Sequence, residues 1–92
     1  MLLDKKKLDL FMNRRYEEFV RLLEDCSSIE CQIKITNELI DQKSSDLLFY
    51  QAEAQKCRCP KNILNWKRNK FLANQIRDMY IEFLERMITD NL

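Results

Sequence analysis

Apolar residues recur along the first two thirds of this chain at alternating steps of four and three. Starting from Leu8, those steps reach Met12, Arg15, Phe19, Leu22, Cys26, Ile29, Ile33, Thr36, Ile40, Lys43, Leu47, Tyr50, Ala54 and Cys57. Only Arg15, Thr36 and Lys43 among them are plainly polar. Such alternation is the seam of a coiled coil or bundle helix, because three and four residues bracket one helical turn. Phe11, Tyr16, Val20, Leu23 and Leu39 widen the stripe, which predicts more than one packing neighbour.

Breaks in the pattern come from local chemistry. Ser27-Ser28-Ile29-Glu30 reads as a capping box, with Ser27 bonding the Glu30 amide and the Glu side chain reaching back. It predicts helices over about 5–26 and 28–58. Ser44-Ser45-Asp46 is a second weak point, since short polar side chains compete for the backbone. The heptad phase nevertheless runs through both places without a skip. One continuous helix over 5–59, roughly 80 Å long at 1.5 Å per residue, therefore stays open. Cys59-Pro60 is the firm boundary, because Pro pushes its predecessor out of helical geometry and suits a first helical turn. Beyond it a stripe of Trp66, Ala73, Ile76, Tyr80, Phe83 and Met87 predicts a helix over about 61–90. The expected fold is all-α over 1–92 as one domain, an antiparallel helical hairpin or three-helix bundle with coiled-coil character.

Composition narrows the function classes. The chain has 92 residues with no Gly, no His and one Pro. Without Gly there is no loop whose backbone can close on a phosphate. Without His, the Ser-His and Cys-His nucleophile systems and the commonest metal ligand are missing. Adjacent acids such as Glu17-Glu18 and Glu24-Asp25 do not converge on one point of a helix. Ser27-Ser28 has no general base beside it. The expectation is a non-enzyme with no cofactor, no metal site and no small-molecule substrate. The start Met1-Leu2-Leu3-Asp4-Lys5 turns charged too soon for a signal peptide, and no apolar run has the length of a membrane span. The expected compartment is the cytoplasm, with no membrane partner.

Charge is balanced overall, at net +1, but badly mixed. Residues 1–15 carry net +3, residues 16–55 net −6, residues 56–77 net +7 and residues 78–92 net −3. The basic stretch holds Lys56, Arg58, Lys61, Lys67, Arg68, Lys70 and Arg77 without a single acid. Three readings compete for it. In a hairpin turning at Pro60 the basic helix folds back on the acidic one, and the charges set antiparallel register. Alternatively the stretch meets an acidic protein partner, since cations near a helix start oppose its dipole and a bound anion relieves them. Finally, Lys and Arg neutralise nucleic-acid phosphates while Trp66 stacks on a base.

Cys26, Cys31, Cys57 and Cys59 form C-x4-C followed by C-x-C, unlike the paired C-x2-C knuckles of structural zinc sites. On one helix Cys26 and Cys31 stand about 140° apart and share no face. A reversal near Ser44 would set Cys31 opposite Cys57 and permit a disulfide staple. Free thiols acting as small hydrophobes are the expected state.

These features lead to an expected helical protein–protein interaction module: an adaptor, assembly subunit or small chaperone, binding a partner or itself through an apolar seam. Leu47, Leu48, Phe49, Phe71, Ile76 and Ile81 are the expected partner-binding residues: Leu47 and Ile76 as members of the apolar seams a partner completes, and Leu48, Phe49, Phe71 and Ile81 because they fall off the intramolecular seam. The rival is a nucleic-acid-binding regulator using the basic 56–77 stretch. Thiol titration under denaturing, non-reducing conditions is expected to count four free thiols; two or fewer contradicts the reading of the cysteines.

Overall fold

Asp4 opens the first helix by accepting the Lys7 amide at 2.8 Å on its carboxylate. In the computed structural model, which describes residues 4–91, three helices follow: α1 over Lys5–Glu24, α2 over Ile29–Lys56 and α3 over Pro60–Asp90. The Met1-Leu2-Leu3 start lies outside the described residues.

The chain breaks once between Leu8 and Cys57, and without glycine. α1 closes tightly, with the Cys26 amide donating to the Leu23 carbonyl at 3.1 Å. Ser28, rather than Ser27, is the N-cap of α2: its backbone is extended and its Oγ accepts from the Cys31 amide at 3.2 Å. That shift of one residue puts Cys31, not Glu30, at the third helical position, so the reciprocal half of the capping box is lost. Gln32 ties the corner instead, donating from Nε2 to the Leu23 carbonyl at 3.2 Å. Among the described residues none takes a positive φ. The 80 Å rod is thereby excluded, and the long dimension of the molecule is 48 Å.

At Ser44-Ser45-Asp46 the helix continues, because the side chains find partners away from their own backbone. Ser44 Oγ accepts from Arg77 of α3 at 3.5 Å, and Asp46 pairs with Lys43 at 3.4 Å. The second corner forms as Pro60 dictates. Cys57 and Cys59 are extended, Pro60 takes the first helical position, and no side chain caps the amides that follow.

Helices α2 and α3 make a closely packed antiparallel hairpin. Tyr50 meets Trp66 near the corner, and Ser44 meets Arg77 further along. α1 then lies along one side of this hairpin, parallel to α3. Phe11 shares a cleft with Leu72, Ala73 and Ile76, while Phe19 reaches Tyr80 and Phe83. Large rings hold the α1 backbone further from α3 than α2 stands. The assembly is an all-α three-helix bundle.

Its core is small. Phe19, at 1% exposure, packs with Ile76 and Tyr80 against a shell that includes Phe11, Met12, Leu39, Ile40 and Phe83. The three polar seam residues find partners, although Arg15 keeps one buried Nε–H unbonded. Thr36 is fully buried and donates to the Gln32 carbonyl at 2.7 Å, so its hydroxyl costs little. Arg15 lays its guanidinium 5.1 Å from the Phe11 ring centre and reaches Glu18 at 2.9 Å. Lys43 extends to Asp46.

Every ion pair among the described residues lies within one helix, at spacing of three or four: Arg15–Glu18, Lys43–Asp46, Lys56–Glu53 and Arg86–Glu82. The expectation that opposed charge blocks set the helix register therefore fails. Between the helices the contact is mainly ring and aliphatic packing, joined by two polar bonds, Arg77–Ser44 and Gln32–Leu23. Among the described residues, no helix is long and apolar enough to cross a membrane.

Truncating the central ring is expected to be severe. Phe19→Ala should cost about 3–5 kcal/mol in urea unfolding, a large share of what so small a core supplies. Leu48→Ala, at an exposed site, should change stability by less than about 0.5 kcal/mol.

Candidate partner-docking groove

Where α2 and α3 meet, two grooves run along their length, one on each side of Leu47. Lys43 and Tyr50 precede and follow Leu47 on the wheel and face the side that α1 occupies, together with Phe11 and Arg15. Ser44, Leu48, Gln51 and Gln55 fall on the other side. That second groove holds no α1 residue.

Its lining comes in two overlapping depressions. One, about 370 Å³, is bounded by Ser44, Leu47, Leu48 and Gln51 of α2 and Lys70, Asn74 and Arg77 of α3. The next, about 520 Å³, runs on past Gln51, Ala54, Gln55 and Cys57, with Ile63, Lys67 and Lys70 opposite. Gln51 and Lys70 belong to both, so the groove is continuous. On α3 the lining residues Ile63, Lys67, Lys70, Asn74 and Arg77 step 4-3-4-3, a second heptad line beside the intramolecular seam. Leu47, Ala54 and Ile63 are its less exposed apolar lining, Leu48 stands at its rim, and amides and cations make up the rest.

The expected partner-binding residues divide. Leu48 and Phe49 are exposed, at 71% and 55%, and Phe71 and Ile81 are half-buried. Leu47 and Ile76 are seam residues as expected, but they are buried within the bundle and are corrected from partner-binding to core. The reason is that α2 and α3 consume their shared seam on each other, leaving its members out of a partner's reach. Leu48 borders the open groove. Phe49 instead flanks the α1 side, with its ring 5.8 Å from Trp66 in an edge-on contact and 5.9 Å from Tyr50. Trp66 is thus engaged with two rings.

The basic stretch is also divided. Arg58 and Lys61 are exposed at the Pro60 corner. Lys67 and Lys70 line the groove, while Arg68, one residue on from Lys67, is exposed outside it. Lys56 pairs with Glu53 at 3.7 Å. Arg77 is half-buried between the helices, donating to Asn74 Oδ1 at 3.1 Å and to Ser44 Oγ, while its buried Nε–H has no partner. It is corrected from patch to groove wall. The seven cations are therefore no single surface.

Reasoning from the sequence passed over Ser44, Gln51, Gln55 and Asn74. Asn74 lies on the α3 line and Ser44, Gln51 and Gln55 step 4-3-4 with Leu48 on α2, a periodicity masked by polar side chains.

The cysteines do not gather. Cys26 and Cys31 flank the first corner, and Cys57 and Cys59 the second, separated by the 28 residues of α2 and so by roughly 40 Å. No reversal at Ser44 brings Cys31 to Cys57. Because the helix breaks between them, Cys26 and Cys31 stand on either side of the first corner, and the separation of about 140° expected on one helix does not apply. Cys26 Sγ donates to the Leu22 carbonyl at 3.7 Å, and the neighbouring Cys31 thiol, followed by burial and the nearby Asp25 charge, pushes the Cys26 thiol up to about 11. All four thiols are unbonded. Among the described residues, no three potential metal ligands cluster.

Comparison with protein-family models, curated proteins and solved structures gives no match.

Because only the thiolate is alkylated, the raised Cys26 thiol should react slowly. With iodoacetamide at pH 8 and peptide mass spectrometry, exposed Cys59 is expected to modify first and Cys26 last. The sign for stability follows. A thiol raised above its ordinary 9.0 favours the fold below pH 9, and this contribution is lost as pH climbs toward 11. Cys26→Ser should flatten the fall in melting temperature over that range.

Proposed function

We propose that this chain is a non-enzymatic helical interaction module, an adaptor, assembly subunit or small chaperone that docks a partner protein's helix. The observation that carries the reading is the asymmetry of the bundle. α1 covers one groove of the α2–α3 hairpin and leaves the other open along its length, with Leu48 among its most exposed apolar residues. Helix-in-groove recognition needs a trough with apolar footing and polar walls, and this groove provides both. The module works in the cytoplasm, where its four thiols stay reduced.

The seam residues named from the sequence act differently under this reading. Asp substitution at Leu47 or Ile76 removes the core and unfolds the chain, whereas Asp at Leu48 leaves the fold and blocks the groove. Chain purified from its own cells should carry a protein partner in fixed stoichiometry, and Leu48→Asp should lose it without a fall in helicity. Light scattering on the isolated chain should give a compact monomer. A fixed-stoichiometry complex that survives Leu48→Asp contradicts the docking surface proposed here.

A second reading, a nucleic-acid-binding regulator, draws on Arg58, Lys61, Lys67 and Arg68, which are exposed and in no ion pair among the described residues. It requires that reversing Lys67, Arg68 and Lys70 abolish binding to DNA or RNA, with affinity falling steeply in salt.

A further inference from the structure

We infer that the open groove takes an acidic amphipathic helix of about four turns, presented by a different protein. The inference rests on the docking reading above and adds the chemistry and length of the occupant.

Charge is the first argument. Lys67, Lys70 and Arg77 stand on one wall, and no carboxylate lines either depression. None of the three is in an ion pair among the described residues. Because the helices pair their charges only internally, these cations are left for something outside the chain. Arg77 sharpens the point. Its guanidinium is pinned in the wall by Ser44 and Asn74, which fixes its positive charge beside the groove.

Spacing is the second. Lys67, Lys70, Asn74 and Arg77 fall on one line of α3, so an approaching helix meets them in register with carboxylates three, four and seven residues apart. From Ile63 to Arg77 the groove runs roughly 21 Å, about four helical turns. Leu48, Ala54 and Ile63 give the occupant's apolar edge its footing.

A second copy of this chain does not suit the groove. A two-fold contact through the same face would set Lys67, Lys70 and Arg77 against their own copies, cation on cation. Nucleic acid is disfavoured because Arg58, Lys61 and Arg68 lie outside the groove and residues 16–55 carry net −6.

The test uses the full chain, labelled with nitrogen-15, and two synthetic 16-residue peptides. One carries Leu along one face and Glu at its flanks, and the other replaces each Glu by Lys. The Glu peptide is expected to bind and to shift the amides of Leu48, Ile63 and Lys70. The double variant K67E/K70E should bind it about tenfold more weakly and gain affinity for the Lys peptide. K67R/K70R, which keeps the charge, should bind as the parent does, and the reversed variant's gain for the Lys peptide shows that its loss of the Glu peptide is not loss of fold. Equal binding of both peptides to the parent overturns the acidic specificity while leaving the docking reading standing. Binding of neither overturns both. Displacement of the Glu peptide by a DNA or RNA duplex at physiological salt overturns the protein occupant.

Discussion

Phe19 reaches from α1 to α3, its ring centre 4.9 Å from that of Tyr80 and 5.3 Å from that of Phe83. Tyr16 adds a contact with Phe83 at 5.5 Å. These rings are the main purchase α1 has on the hairpin, and almost everything else in the molecule follows from where they sit. Aromatic pairs at these tilted and edge-on angles contribute about 0.5–1.5 kcal/mol beyond the area they bury. For a chain this short, with little buried interior, that increment decides whether α1 docks or swings free. Since the rings belong to one side of α3, α1 occupies one groove and cannot cover the other.

The open groove is thus a consequence of packing, not a separate feature. Two helices in contact always present two grooves, and a third helix closes one of them. In a four-helix bundle a further helix closes the second. Here the second has walls too polar to bury without a matching partner, because Lys67, Lys70 and Arg77 stand where a self-contained bundle would carry aliphatic residues. Both grooves follow heptad spacing on α3, but one line is written in rings and aliphatics and the other in cations and amides.

Most of the fold was legible because apolar spacing and Pro60 are local signals. The 4-3-4-3 line identified Phe19, Leu47 and Tyr50 as seam residues, and the proline located the second corner. The first corner was harder. Ser27 and Ser28 are both competent caps, and only the backbone path decides that Ser28 takes the amide. Continuity through Ser44 was legible in the unbroken heptad phase, whereas the partner of its hydroxyl, Arg77, lies 33 positions away and was not. Charge misled for a physical reason. Block charges suggest attraction between helices, but short intrahelical pairs at spacing of three or four form at lower entropic cost. Of the candidate surface, Leu48 was legible as the off-seam member of a doublet, whereas Leu47 and Ile76 belong to the seam that α2 and α3 close on each other.

Because the one-sided placement of α1 underlies the whole account, a nuclear Overhauser spectrum of the labelled chain tests it most directly. The account predicts cross-peaks from the Phe19 ring to the Tyr80 and Phe83 rings, and none from any α1 proton to Leu48, Ile63 or Arg77. Cross-peaks from α1 to Leu48 and Ile63 would place α1 in the other groove and contradict it.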